Sequence, residues 1–169
     1  MANKFEKEVN VLRQAMLNEV EGMEFYKLSA EKFEPSATKD ALLELAHQEE
    51  LHIEYLKDLS EKVLNQKIDF DAETLKKEVP SPEIFTWNNV EGLDEDMVRL
   101  AVTVFSVGMN MEKDSVAFYT EAKENAESEE VKQLFDILID WEQAHYLTFE
   151  KQYRIYEQEW WNMQNFAPF

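Results

Sequence analysis

The chain has 169 residues, enough for one domain with a real core, and its 3 glycines and 4 prolines disfavour sheets built on tight turns and favour long helices. A formal net charge of −19 would repel a polyanion, which excludes nucleic acid as a partner, and would instead concentrate cations. The absence of cysteine excludes disulfides, thiolate chemistry, zinc ribbons and iron–sulfur ligation.

The opening residues "MANKFEKEVN" lack the apolar core of a signal peptide, and no uncharged apolar run of about 18 residues follows, so a soluble cytoplasmic protein with no membrane contact is expected. The first predicted helix runs from about Asn3 to Phe33, with Val9, Leu12, Met16, Val20, Met23 and Leu28 as its apolar side. "EPSATKD" ends it, with Pro35 as the stop and Ser36 or Thr38 as the next N-cap. The second helix spans about Ser36 to Leu64 and carries Leu42, Leu45, Leu56, Leu59 and Val63 inward. A turn-rich region from about Asn65 to Gly92 reads as a crossover, with a short helix near Ala72–Glu78. The third helix starts at the N-cap candidate Asp94 and reaches about Ala126; the fourth is capped by Ser128 and reaches about Trp161. Each is about 30 residues, or roughly 45 Å, long.

These elements predict an all-α protein in one domain, 1–169. Two helical hairpins, about 3–64 and 94–161, form a four-helix bundle joined by a long crossover, about 65–93, and followed by an aromatic tail, 162–169. The hairpins are homologous. A shift of 93 positions aligns Val9 with Val102, Met16 with Met109, Glu19 with Glu112, and Phe25–Tyr26 with Phe118–Tyr119. The same shift aligns Lys39 with Lys132, Leu45 with Leu138, Glu49 with Glu142, and His52 with His145, with no gap at the turn inside each hairpin.

Residues three apart on a helix share a face, so Glu49 with His52, and Glu142 with His145, each form a two-ligand clip. Glu19 and Glu112 sit mid-helix and face the clips across antiparallel hairpins. Four buried carboxylates repel one another and resist desolvation, whereas two divalent cations would balance them. Oxygen and nitrogen ligands without sulfur suit iron or manganese, with zinc as the alternative. One glutamate from each of two helices, with Glu-x-x-His from each of the other two, is the ligand pattern of di-iron carboxylate bundles.

Tyr26 and Tyr119 each follow a mid-helix glutamate by seven residues, nearly two turns, which places a phenol on that glutamate's face to hydrogen-bond a ligand carboxylate or a bound oxygen species. His47 has no repeat partner and reads as a surface or rim histidine; Met16, Met23, Met109 and Met111 read as core. The aromatic stretch "EQEWWNMQNFAPF" is expected to cap the bundle or to form a homodimer contact.

With "EVEGMEFY" (Glu19–Tyr26), "EELH" (Glu49–His52), "EKDSVAFY" (Glu112–Tyr119) and "EQAH" (Glu142–His145), the chain resembles the rubrerythrin branch of the ferritin-like superfamily across both hairpins. The resemblance implies a ferritin-like bundle and a di-iron centre, with Glu49 and Glu142 bridging, Glu19 and Glu112 terminal, and His52 and His145 one per metal. It implies a peroxidase or oxidase that reduces hydrogen peroxide or oxygen, with proton delivery by a carboxylate or by Tyr26 and Tyr119. Two departures stand out. The four cysteines of a rubredoxin domain are missing, so the stand-alone form and a separate electron-donor protein are expected. An additional glutamate that the family carries three residues after the first on this helix is here Ser115.

Two other functions stay open: non-enzymatic iron binding or storage, and a structural bundle holding zinc or no metal. On charge alone, Glu49→Gln is expected to weaken metal binding while stabilising the metal-free protein, because it removes one buried charge.

Overall fold

The computed structural model of the chain describes residues 6–34, 36–65 and 93–164. Among them are four helices and no strand: α1 (Glu6–Ala30), α2 (Ala37–Leu64), α3 (Glu95–Asn125) and α4 (Glu129–Met163). The all-α four-helix bundle is as expected. Pro35, nearly all of the crossover with its short helix, and the end of the tail lie outside the described residues. No helix among the described residues is long and apolar enough to cross a membrane.

Polar caps open three of the helices. Ser36 Oγ accepts from Lys39 N, Asp94 Oδ1 accepts from Met97 N at 2.9 Å, and Ser128 Oγ accepts from Val131 N. Each satisfies one of the amide donors that a helix N-terminus leaves without an internal partner. Lys27, Lys62 and Lys123 sit in the last turns of α1, α2 and α3, where a cation meets the negative end of the helix dipole.

α1 packs along α2 and α3 along α4, and α1 meets α3 between the hairpins. The core divides into two apolar layers. One holds Leu12, Leu56, Tyr119, Leu134 and Trp141; the other holds Tyr26, Leu45, Phe105, Phe149 and Tyr156. On every helix the candidate ligands fall between the stretch that feeds one layer and the stretch that feeds the other. The polar groups therefore form a middle stratum sealed at both ends by side chains that exclude water.

Two residues assigned to the apolar side of α1 face outward: Val20 is 37% exposed and Leu28 57%. The buried line is Val9, Leu12, Ala15, Glu19, Gly22, Tyr26 and Ala30. Its centre consists of small and acidic residues, so hydrophobic character points away from the true inner face there. The expected inner residues of α2 are all buried.

Gly108 lies where α3 closely approaches α4. A Cβ built on it would lie 2.6 Å from Cε1 of Phe149. That ring is fully buried, with centroids 5.3 Å from Tyr26 and 5.7 Å from Phe105, so it has little room to retreat. Alanine would gain about 1 kcal/mol of helix propensity, but overpacking costs about 1–3 kcal/mol. Gly108→Ala is therefore expected to lower the thermal unfolding midpoint by a few degrees; an unchanged or higher midpoint in a melting experiment would show that the ring can yield.

Candidate metal centre

The middle stratum gathers all six expected ligands. Glu19, Glu49, His52, Glu112, Glu142 and His145 are buried, none more than 3% exposed. Each clip spans one turn of a helix, on α2 and on α4, while α1 and α3 each contribute one glutamate. The side chains form two groups able to hold a metal ion: Glu19, Glu49, His52 and Glu142, and Glu49, Glu112, Glu142 and His145. Within each group the candidate donor atoms lie within 4.8 Å of one another, and Glu49 and Glu142 belong to both groups.

Both imidazoles aim Nδ1 at this cluster. His52 Nδ1 lies 3.0 Å from Glu19 Oε2, 3.1 Å from Glu49 Oε2 and 3.5 Å from Glu142 Oε1. His145 Nδ1 lies 3.3 Å from Glu49 Oε1, 3.6 Å from Glu142 Oε2 and 3.7 Å from Glu112 Oε2. The two rings stack on each other with centroids 5.5 Å apart.

The tyrosines reach carboxylates, but not those that precede them on their own helices. The Tyr26 hydroxyl donates to Glu112 Oε1 and the Tyr119 hydroxyl donates to Glu19 Oε1. Seven residues are about 10 Å along a helix axis, beyond the level of a neighbouring carboxylate. The crossed pairing means that α1 and α3 run antiparallel, which brings each phenol level with the other helix's glutamate. These two bonds tie one hairpin to the other through the site. Tyr119→Phe would remove the phenol donor to the buried Glu19 carboxyl, and a buried acceptor left without its partner costs about 1–3 kcal/mol. Denaturant unfolding of Tyr119→Phe is expected to show a loss of that order, and a variant as stable as the parent would exclude any energetic role for the bond.

Protonation in the absence of metal is uneven. Burial, then the charge of Glu49, pushes the Glu19 carboxyl up to about 8. Burial, with Glu19 and Glu49 beside it, also pushes Glu142 well above the carboxylate range. Burial opposes charge on Glu49 as well, but His52 and His145 outweigh it and hold this carboxyl well below its usual range. Burial would lower both histidines; the surrounding carboxylates instead raise His52 to about 10 and His145 well above its normal value. Burial, and then the opposing glutamate, raise both phenols, so Tyr26 and Tyr119 stay protonated donors. With the Glu49 carboxyl held low by His52 and His145, the charge-only expectation for Glu49→Gln gives way to the opposite one, that removing it uncovers buried charge.

The donor set fits divalent metal. Glu142 Oε1 and His145 Nδ1 are buried and lack a hydrogen-bond partner, an arrangement that costs energy unless something else satisfies them. Both atoms belong to residues of the second four-ligand group. Ser115 belongs to neither group. His47 is exposed and lies 3.6 Å from Glu50, and Met16, Met23 and Met109 pack against the apolar layers, whereas Met111, also expected in the core, is half-buried and belongs to neither.

Two neighbours escape a reading for ligands alone. Gln48 Oε1 lies 2.8 Å from His145 Nε2, and the Trp141 ring stacks on His52 at 4.6 Å and 15°. They occupy equivalent positions of the repeat, immediately before Glu49 and Glu142. Their mismatch beside otherwise identical clips is the signal that could have drawn attention to them.

A family model described as rubrerythrin matches residues 10–153, covering both hairpins. No curated protein and no solved structure matches the chain.

Proposed function

Since this chain belongs to the rubrerythrin family, we propose that it holds two iron ions between its four helices and acts as an oxidoreductase, reducing hydrogen peroxide or oxygen with electrons from a separate donor protein. The observation that carries this reading is the pair of four-residue groups sharing Glu49 and Glu142. A carboxylate has two oxygens, so a shared one can serve a metal with each. Glu49 and Glu142 would then be the ligands common to both metals, with Glu19 and His52 completing one position and Glu112 and His145 the other.

When bound, a ferrous pair would supply the two electrons that, with two protons, convert one hydrogen peroxide to two waters. The protein's own part is to position and to exclude. The Tyr26 and Tyr119 hydroxyls hold their protons and orient Glu112 and Glu19. The apolar layers on either side keep bulk water from the carboxylates. The 169 residues contain no cysteine to relay electrons, which is why the donor is placed outside them.

Ser115 favours a second reading. It offers no carboxylate where the family carries one, so this centre has one fewer ligand with which to follow a change of oxidation state. A site that binds iron or zinc without rapid turnover would tolerate that loss.

The test is an anaerobic Fe²⁺ titration of metal-free protein, followed by mixing with peroxide or oxygen while recording visible absorbance. Saturation at two irons per chain and faster oxidation by peroxide are expected. Faster reaction with oxygen would move the assignment to an oxidase. Uptake well beyond two irons would favour storage, and binding without a redox response would leave a structural bundle.

A further inference from the structure

We propose that Gln48 is a positioning residue that makes the two metal positions unequal, so that the position containing His145 fills before the one containing His52. The inference rests on the metal-binding reading above and concerns how the chain prepares each histidine.

His145 directs Nδ1 into the carboxylate cluster and Nε2 toward Gln48 Oε1, 2.8 Å away. The carboxamide cannot be turned around at no cost. Its nitrogen donates to Glu44 Oε1 at 3.3 Å, and an ionised carboxylate only accepts. The amide nitrogen is therefore committed to Glu44 and the amide oxygen to His145. That oxygen accepts only, so Nε2 keeps its proton, and Nδ1, which faces the carboxylates, is the nitrogen that gives up its proton to a metal. The Glu44–Gln48–His145 chain sets both the ring's orientation and its donor atom before any metal arrives.

His52 has no equivalent. The repeat places Trp141 where Gln48 would stand, and an indole offers an N–H donor but no acceptor. Stacking at 4.6 Å sets the plane of the His52 ring and leaves its Nε2 without an acceptor from that position. Among the described residues, the polar contacts of His52 run through Nδ1. The ring also borders an open groove lined by Glu44, His47, Gln48 and Tyr55. Outer partners of metal-bound histidines are worth about 10–100-fold in affinity, so the two positions should differ by about that factor.

The test is a titration of the metal-free full chain with Co²⁺, followed by its visible absorption, on the parent and on Gln48→Met, Gln48→Glu, His52→Ala and His145→Ala. Two steps about 10–100-fold apart are expected for the parent. His145→Ala should remove the tighter step and His52→Ala the weaker. Gln48→Met, close in shape but without the amide oxygen, should merge the two steps, and Gln48→Glu should separate them again.

Nitrogen-15 spectra of the zinc-loaded parent give a readout that needs no variant to fold. One slowly exchanging ring proton, on His145 Nε2, is expected. Two metals bound with equal affinity, steps still separated in Gln48→Met, or protection on His52 instead would each overturn this inference while leaving the metal site intact. No metal binding by the parent would overturn the site and this inference together.

Discussion

Glu49→Gln and Glu142→Gln are expected to produce the same loss of metal binding and opposite changes in the stability of the metal-free protein. Both carboxylates belong to both ligand groups, so either substitution weakens both metal positions, whereas Glu19→Gln or Glu112→Gln touches one. For the shared glutamates the loss should exceed the roughly 10–100-fold typical of outer partners, at both steps of a titration. Stability separates them. Glu49 is ionised and compensates His52 and His145, so its amide leaves buried cations short of a partner, at a cost of about 3–5 kcal/mol. Burial and like charge already favour the neutral form of Glu142, so its amide resembles the state present without metal and should be neutral or stabilising. Metal titration of the four variants, with thermal melts of their metal-free forms, checks both halves. A single-step defect in Glu49→Gln would contradict the sharing; a more stable metal-free Glu49→Gln would contradict the charge assignment.

The metal-free protein should lose stability as pH rises from about 6 to 9, while the metal-loaded protein resists the change. Glu19 holds its proton to about 8 when folded, against 4.5 when unfolded. Across that window the folded state binds a proton that the unfolded state has released, so raising the pH favours unfolding. His52 acts in the same direction at higher pH: its contribution is fully present below 6.5 and is lost as pH rises through about 10. His145, also raised, adds to the same slope, whereas the depressed Glu49 stabilises above its unfolded value and loses that contribution only in acid. Metal displaces these protons, so affinity should climb with pH over the range in which the metal-free form weakens. Melting curves with chelator and with bound Zn²⁺ would measure the widening gap. A metal-free midpoint that stays level or rises between pH 6 and 9 would refute the assignment.

The candidate ligand set was legible because the chain repeats itself. A single Glu-x-x-His in so acidic a helical protein carries little information. Two in register, each with a mid-helix glutamate at the same offset, single out a candidate centre, because helical spacing converts sequence distance directly into a shared face. The N-caps at Ser36, Asp94 and Ser128 were legible for a similar local reason: a side chain three residues before a free amide needs no tertiary contact to reach it. Local rules failed where α1 turns polar. Ala15, Glu19 and Gly22 line the interior beside the site, and hydrophobicity assigned Val20 and Leu28 to a face that they do not share.

Composition, period and repeat thus determined by themselves an all-α chain, two matched hairpins and six side chains brought to one stratum. Only the tertiary structure decided how those side chains divide the work. The antiparallel setting of α1 against α3 gave each tyrosine the other hairpin's glutamate. Packing decided which carboxyl is ionised, since Glu49 meets both imidazoles while Glu19 and Glu142 meet burial and like charge. It also placed Gln48 against one histidine and Trp141 against the other. Helical spacing acts along one helix and can be read from the chain. Protonation and hydrogen bonding act between helices, over a few ångströms set by register, and no pattern within a single helix encodes that distance.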